Sequence, residues 1–170
     1  MKKLFVVVDM QNDFITGTLK NEEAEKIVDK IVDKIKSLDK DQYVIYLTQD
    51  THDDHYLSNQ EGKKLPIKHC IYNTWGWEIE PRILAALSGF SVYFSPKKAF
   101  GQLFWGNSKY ESIELCGTCT DICVISNALI LKAKYPETPV TVYKDLCAGT
   151  TTESHNAALL IMKNCQVEVK

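Results

Sequence analysis

The chain has 170 residues, 45% of them hydrophobic and 25% charged, which is ordinary for a globular protein and excludes intrinsic disorder and fibrous repeats. Twenty Lys+Arg against 22 Asp+Glu leave a formal charge of -2 with the basic residues scattered, so no electropositive face for nucleic acid is expected. The length suits one domain over residues 1–170 with a single sizeable core.

Lys2 and Lys3 precede a short apolar run that Asp9 interrupts before a signal-peptide core can form. No other stretch approaches the roughly 18 apolar residues of a membrane span, so a cytoplasmic chain with no membrane partner is expected. Its six cysteines are then read mainly as reduced thiols.

Leu4 to Val8 is continuous, apolar and rich in valine, as a central strand covered on both faces requires. Over 21–38 the residues Ile27, Ile31, Ile35 and Leu38, with Val28 and Val32 beside them, form one helical stripe, and Asn21 can cap its start. Further strands are predicted at 43–48, 91–94, 113–116, 140–143 and 167–169, and helices at 78–88, 122–134 and 152–163. Strands alternating with helices predict a six-stranded parallel sheet with helices on both faces, a three-layer α/β/α, Rossmann-like arrangement. Thr150 to Glu153 fits a capping box for the last helix, which assigns Glu153 a structural task. The polar stretch from Asp50 to Trp77 and the aromatic one from Pro96 to Tyr110 read as long functional loops.

In open α/β sheets ligands bind beyond the carboxyl ends of the strands. There the sequence places Asp9, then Asp50 and His52, then Lys97, then Cys119 and Cys123, four separate segments converging on one edge. Thr120 and Asp121 are good capping residues, so Cys123 is expected in the first turn of a helix, where the dipole and Lys97 would lower its pKa. Asp9, ending an apolar strand, needs a partner and could act as general base toward that thiol. Cys70, Cys147 and Cys165 are read as small hydrophobic residues. Cys116, Cys119 and Cys123 as a metal fragment is a weak reading without a second cysteine pair.

Asp50 and His52 point the same way if extended geometry persists through Thr51, and a distant His69 can complete a metal site; His55 and Glu61 are spare candidates. Carboxylate with imidazole suits one divalent ion, with Zn, Fe and Mn open. His155, early in the last helix, is expected to hydrogen-bond locally or reach the crevice rim.

The segments Val7 to Phe14, Lys97 with Phe100-Gly101, and Gly117 to Val124 resemble the cysteine-hydrolase superfamily of nicotinamidases, isochorismatases and N-carbamoylsarcosine amidases, over nearly the whole length. The resemblance implies a triad of Asp9, Lys97 and Cys123, a cis peptide between Thr118 and Cys119, and an oxyanion hole from the backbone N–H groups of Cys119 and Cys123. Asp50-Thr51-His52 and Leu65 to Cys70 are similar to nicotinamidase metal segments, with Glu61 resembling an added acidic ligand. The divalent metal implied is zinc first, then iron or manganese; it would hold a pyridine nitrogen while Phe14 and Trp105 sandwich the ring. The segment after Lys97 departs from the usual nicotinamidase pattern. Nicotinamide hydrolysis through a thioester is the implied reaction on a small-molecule amide, in a homo-oligomer. The alternatives are a metal-independent carbamoyl or ureido hydrolase, an isochorismatase-type hydrolase, and a non-catalytic metabolite-binding protein of the same fold.

Overall fold

The computed structural model describes all 170 residues. In chain order the elements are β1 (Lys3–Val8), α1 (Asn12–Ile15), α2 (Glu22–Ser37), β2 (Tyr43–Asp50), α3 (Gln60–Lys64), α4 (Pro81–Ala86), β3 (Ser91–Lys97), β4 (Ile113–Thr118), α5 (Ile125–Lys134), β5 (Val140–Ala148), α6 (Thr152–Asn164) and β6 (Glu168–Val169). All pairings are parallel, in the order β3-β2-β1-β4-β5-β6. The chain winds outward from β1 to β3, then returns to the other side of β1 and winds outward again. Right-handed crossovers in these two directions put their helices on opposite faces: α2 packs with α4, and α5 with α6. The reversal leaves a crevice between the carboxyl ends of β1 and β4.

The core follows the apolar pattern. Leu4 to Val8 are fully buried, and α2 turns Ala24, Ile27, Val28, Ile31, Val32 and Ile35 inward. Asn21 Oδ1 accepts the backbone N–H groups of Glu23 (2.9 Å) and Ala24 (3.3 Å), which satisfies two free donors of the first turn. No helix is long and apolar enough to cross a membrane.

Several boundaries differ from the sequence reading for physical reasons. β3 continues past Phe94 through Pro96 to Lys97, because β3 is an edge strand and a missing proline N–H can face outward. The helix expected over 78–88 is shorter: Pro81 opens it and the Glu80 carboxylate accepts from Arg82 N (2.7 Å) and Ile83 N (3.2 Å). The capping box is not formed. The cap of α6 is Thr151, whose Oγ1 accepts Ser154 N–H at 3.0 Å, one position later than expected, so Glu153 takes no part and is exposed.

At the amino end of the sheet, Glu114 is a buried carboxylate inside an apolar strand. Tyr43 and Tyr143 each donate a 2.7 Å hydroxyl bond to it, and Lys34 Nζ stands 3.5 Å away. Glu114→Ala would leave the Tyr43 and Tyr143 hydroxyls without their acceptor and Lys34 without its ion-pair partner; urea denaturation should show a loss of about 1–3 kcal/mol, with Glu114→Gln between it and the native protein.

Candidate active site

The register of the sheet assembles the site. Asp50 and Lys97 are paired residues at the ends of β2 and β3, and Val8, opposite both Thr48 and Gly117, delivers Asp9 to the same edge. Asp9 leaves the strand with φ +48°, a conformation held by its N–H bond to Thr48 O (3.2 Å) and by Thr48 Oγ1 donating to Asp9 Oδ1 (2.6 Å). Gly117, at φ +120°, lets β4 approach the Val8 carbonyl where a Cβ would collide.

Lys97 stands at the centre of the first cluster. Its Nζ lies 2.7 Å from Asp9 Oδ2, 3.6 Å from Cys123 Sγ and 3.5 Å from Asp50 Oδ1. All four residues are buried. The ammonium ion-pairs with Asp9 Oδ2, and a carboxylate oxygen has a second lone pair with which to accept a proton.

Cys123 lies in the first turn of a helix, as expected, but that turn is π-helical: Thr120–Val124 runs directly into α5, and the N–H groups of Ile122 (3.1 Å) and Val124 (3.0 Å) return to Cys119 O. The two expected caps are engaged elsewhere: Thr120 Oγ1 pairs with His155 Nδ1 at 2.8 Å, and the Asp121 carboxylate accepts Thr150 N–H at 2.9 Å. The Thr118–Cys119 peptide is cis.

The expected depression of the thiol pKa is also reversed. Burial, and next the Asp9 charge, hold Cys123 well above the usual thiol range, and Lys97 opposes them without prevailing. Burial likewise raises the Asp9 carboxyl, aided by Asp50 and resisted by Lys97. For Lys97 burial favours the neutral amine, but Asp9, Cys123 and Asp50 together outweigh it and keep the group cationic. Burial thus favours the neutral form of both Cys123 and Asp9, while Lys97 beside them stays cationic.

A second cluster begins at Asp50. Extended geometry does persist through Thr51: Thr51 N–H bonds to Lys97 O (2.9 Å), and His52 pairs with the Ile71 segment through Cys70 O (3.0 Å) and Tyr72 N (2.8 Å). Asp50 and His52 consequently share a face, with His52 Nε2 2.9 Å from Asp50 Oδ2, and the bridge carries His69 to 3.5 Å from the same oxygen. Glu61, from α3, closes the group, and the four donor atoms lie within 4.8 Å of one another. His69 Nδ1 donates to Ile67 O (2.8 Å), which leaves the Nε2 lone pair facing the cluster. Two imidazoles and two carboxylates so arranged fit a divalent transition metal. His55 is exposed and outside the group.

Both clusters open into a cavity of about 590 Å³, whose lining includes Phe14, Leu65, Phe100, Cys119 and Ile122 with Asp50, Glu61, His69 and Cys123. Phe14 lies 5.7 Å from the His69 ring. Trp105 is elsewhere: it is buried in the core with its ring 5.8 Å from Tyr46 and does not line the cavity, so the second aromatic wall is Phe100. His155 is occupied with Thr120 rather than with the cavity.

Three contributors escaped the sequence reading. Thr48 braces Asp9, as above. Asp13 is a buried carboxylate whose Oδ2 accepts Cys70 N–H (2.7 Å), fixing the residue beside His69, while its Oδ1 accepts Thr18 N–H (3.1 Å). Gln11 bonds the backbone of Asp50 through both ends of its amide. The signal available was the polar run Gln11-Asn12-Asp13 directly after a buried strand, where such groups are expensive unless they are used.

Residues 3–170 match the isochorismatase domain family. The nicotinamidase of Saccharomyces cerevisiae is 30% identical over 109 residues, which is 48% of this chain and 50% of the yeast enzyme, so that match spans about half of each protein. Among solved structures, a nicotinamidase from Bacillus subtilis superposes with a TM-score of 0.84 at 26% identity, covering 99% of both chains. The pyrazinamidase of Pyrococcus horikoshii, solved in complex with zinc, gives a TM-score of 0.80 at 25% identity over 100% of this chain and 99% of its own. The chain belongs to the isochorismatase family, and within it resembles the nicotinamidases.

Proposed function

We propose that the protein hydrolyses small aromatic carboxamides, nicotinamide first among them, with Cys123 as nucleophile. One observation carries the reading: Lys97 Nζ stands 2.7 Å from Asp9 and 3.6 Å from Cys123, and Cys123 lines a cavity together with Asp50, Glu61 and His69 of the four-residue cluster. The relatives named nicotinamidase and pyrazinamidase support the substrate class.

Asp9 Oδ2 takes the thiol proton as Sγ attacks the carboxamide carbon. The oxygen that becomes anionic is received by the backbone N–H groups of Cys119 and Cys123. Asp9 then returns the proton to departing ammonia, leaving a thioester that water cleaves to the carboxylic acid. Lys97 stays protonated throughout and compensates negative charge on whichever partner carries it. Asp50, His52, Glu61 and His69 would hold the divalent cation, which when bound supplies a Lewis acid for a ring nitrogen. Phe14 and Phe100 offer aromatic walls for the ring.

Cys123→Ala is expected to lower ammonia release from nicotinamide by about 10⁴-fold or more, while retaining the native melting temperature. Activity on ureido compounds but not on nicotinamide would keep the nucleophile and discard the substrate.

The base must be ionised to act, and burial raises the Asp9 pKa, so the acid limb of kcat/KM should lie above the usual carboxylate range, activity falling as pH drops through it. A limb at the ordinary aspartate value would show that another group is the base.

Dialysis against a chelator should remove nicotinamide turnover, and zinc should restore it. Turnover unaffected by complete metal removal would separate the ligand cluster from substrate positioning.

A further inference from the structure

β2 outlasts its neighbour. In a parallel ladder the N–H and C=O of one residue face the same side, and those of the next residue face the other. Thr51 N–H goes to Lys97 O on β3, so the N–H and C=O of Asp50 face the lane that β1 leaves when Asp9 turns away. Before that point the lane is filled by backbone, Asp9 N–H on Thr48 O; beyond it the lane is filled by backbone again, Cys70 O and Tyr72 N–H on His52. Between the two there is one rung with no strand to make it.

The Gln11 side chain makes that rung. Its Oε1 accepts Asp50 N–H at 2.7 Å, and its Nε2 donates to Asp50 O at 2.9 Å and to Trp77 O at 2.9 Å. The residue is fully buried, and the amide bonds Asp50 as a neighbouring peptide would. What it holds is the one carboxylate shared by the two clusters, with Oδ1 3.5 Å from Lys97 and Oδ2 2.9 Å from His52.

We infer that Gln11 is a positioning residue: its amide replaces a strand rung, fixes the Asp50 backbone, and so sets the ligand cluster against the Lys97–Cys123 pair. For the cluster, this rests on the proposed metal reading.

The experiment uses full-length Gln11→Met, which keeps the bulk and loses the amide, and Gln11→Asn, whose amide is one methylene too short. Two quantities are read: zinc affinity of the metal-free protein by competition with a chromophoric chelator, and the iodoacetamide alkylation rate of Cys123 at fixed pH. Glu114→Ala, at the opposite end of the sheet, reports what loss of stability alone does to both. Expected are a roughly 10–100-fold loss of zinc affinity and a several-fold change in alkylation rate for each Gln11 variant, neither seen with Glu114→Ala. Variants that keep native values of both, or move them no further than Glu114→Ala does, would overturn the inference, as would failure of both to fold. If the native protein itself does not bind zinc, the metal reading fails, and the alkylation rates decide the role of Gln11.

Discussion

A lysine ammonium almost wholly removed from water is the constraint around which this molecule is arranged. Lys97 has a side-chain exposure of 1% and its ion-pair partner Asp9 has 0%. Desolvating such a pair costs several kcal/mol per ion, and a buried salt bridge is seldom better for stability than an apolar pair of the same volume. Stability therefore does not explain why it is kept. It is tolerated because the parallel register places Asp50 opposite Lys97 and carries Asp9 to the same edge, and because Thr48 braces the Asp9 carboxylate. The topological reversal between β1 and β4 then supplies the opening through which such a pair can meet a ligand.

The parts of the fold legible in the sequence were those decided by periodicity and local hydrogen bonding. The uninterrupted run of β1, the stripe of α2 and the Asn21 cap each follow from residues a few positions apart. The convergence of Asp9, Asp50, Lys97 and Cys123 was legible because strand ends are legible and a parallel sheet puts them on one edge. The pairing of Asp50 with His52 followed from the period of two along an extended chain, which held one residue beyond the strand.

What escaped was decided by partners distant in sequence. Thr120 has the composition of a cap, but its hydroxyl is taken by His155, 35 residues later. Trp105 was an aromatic in a loop expected to be functional, and composition alone does not separate a ring that packs on Tyr46 from one that faces a cavity. The strand expected over 91–94 runs on through Pro96 to Lys97, which its edge position permits. The Cys123 thiol shows the principle most sharply. Helix-dipole arguments use the local chain, whereas burial and the carboxylates of Asp9 and Asp50 come from the whole fold and act in the opposite direction.

A thiol held protonated is no obstacle to the proposed chemistry, given where the cation sits. Moving the proton from Cys123 to Asp9 creates no net charge inside the protein. It transfers one negative charge from an oxygen 2.7 Å from Lys97 Nζ to a sulfur 3.6 Å from the same atom. The ammonium compensates the charge in both states without moving, so the low-dielectric surroundings that make an isolated thiolate costly penalise this exchange far less. A lysine that gave up its own proton would lose that property. The three neighbouring groups that raise its pKa, each too close to be screened by water, are what keep it from doing so. Ionisation of the nucleophile is thereby tied to protonation of Asp9, the same group that must later release a proton to the leaving amine.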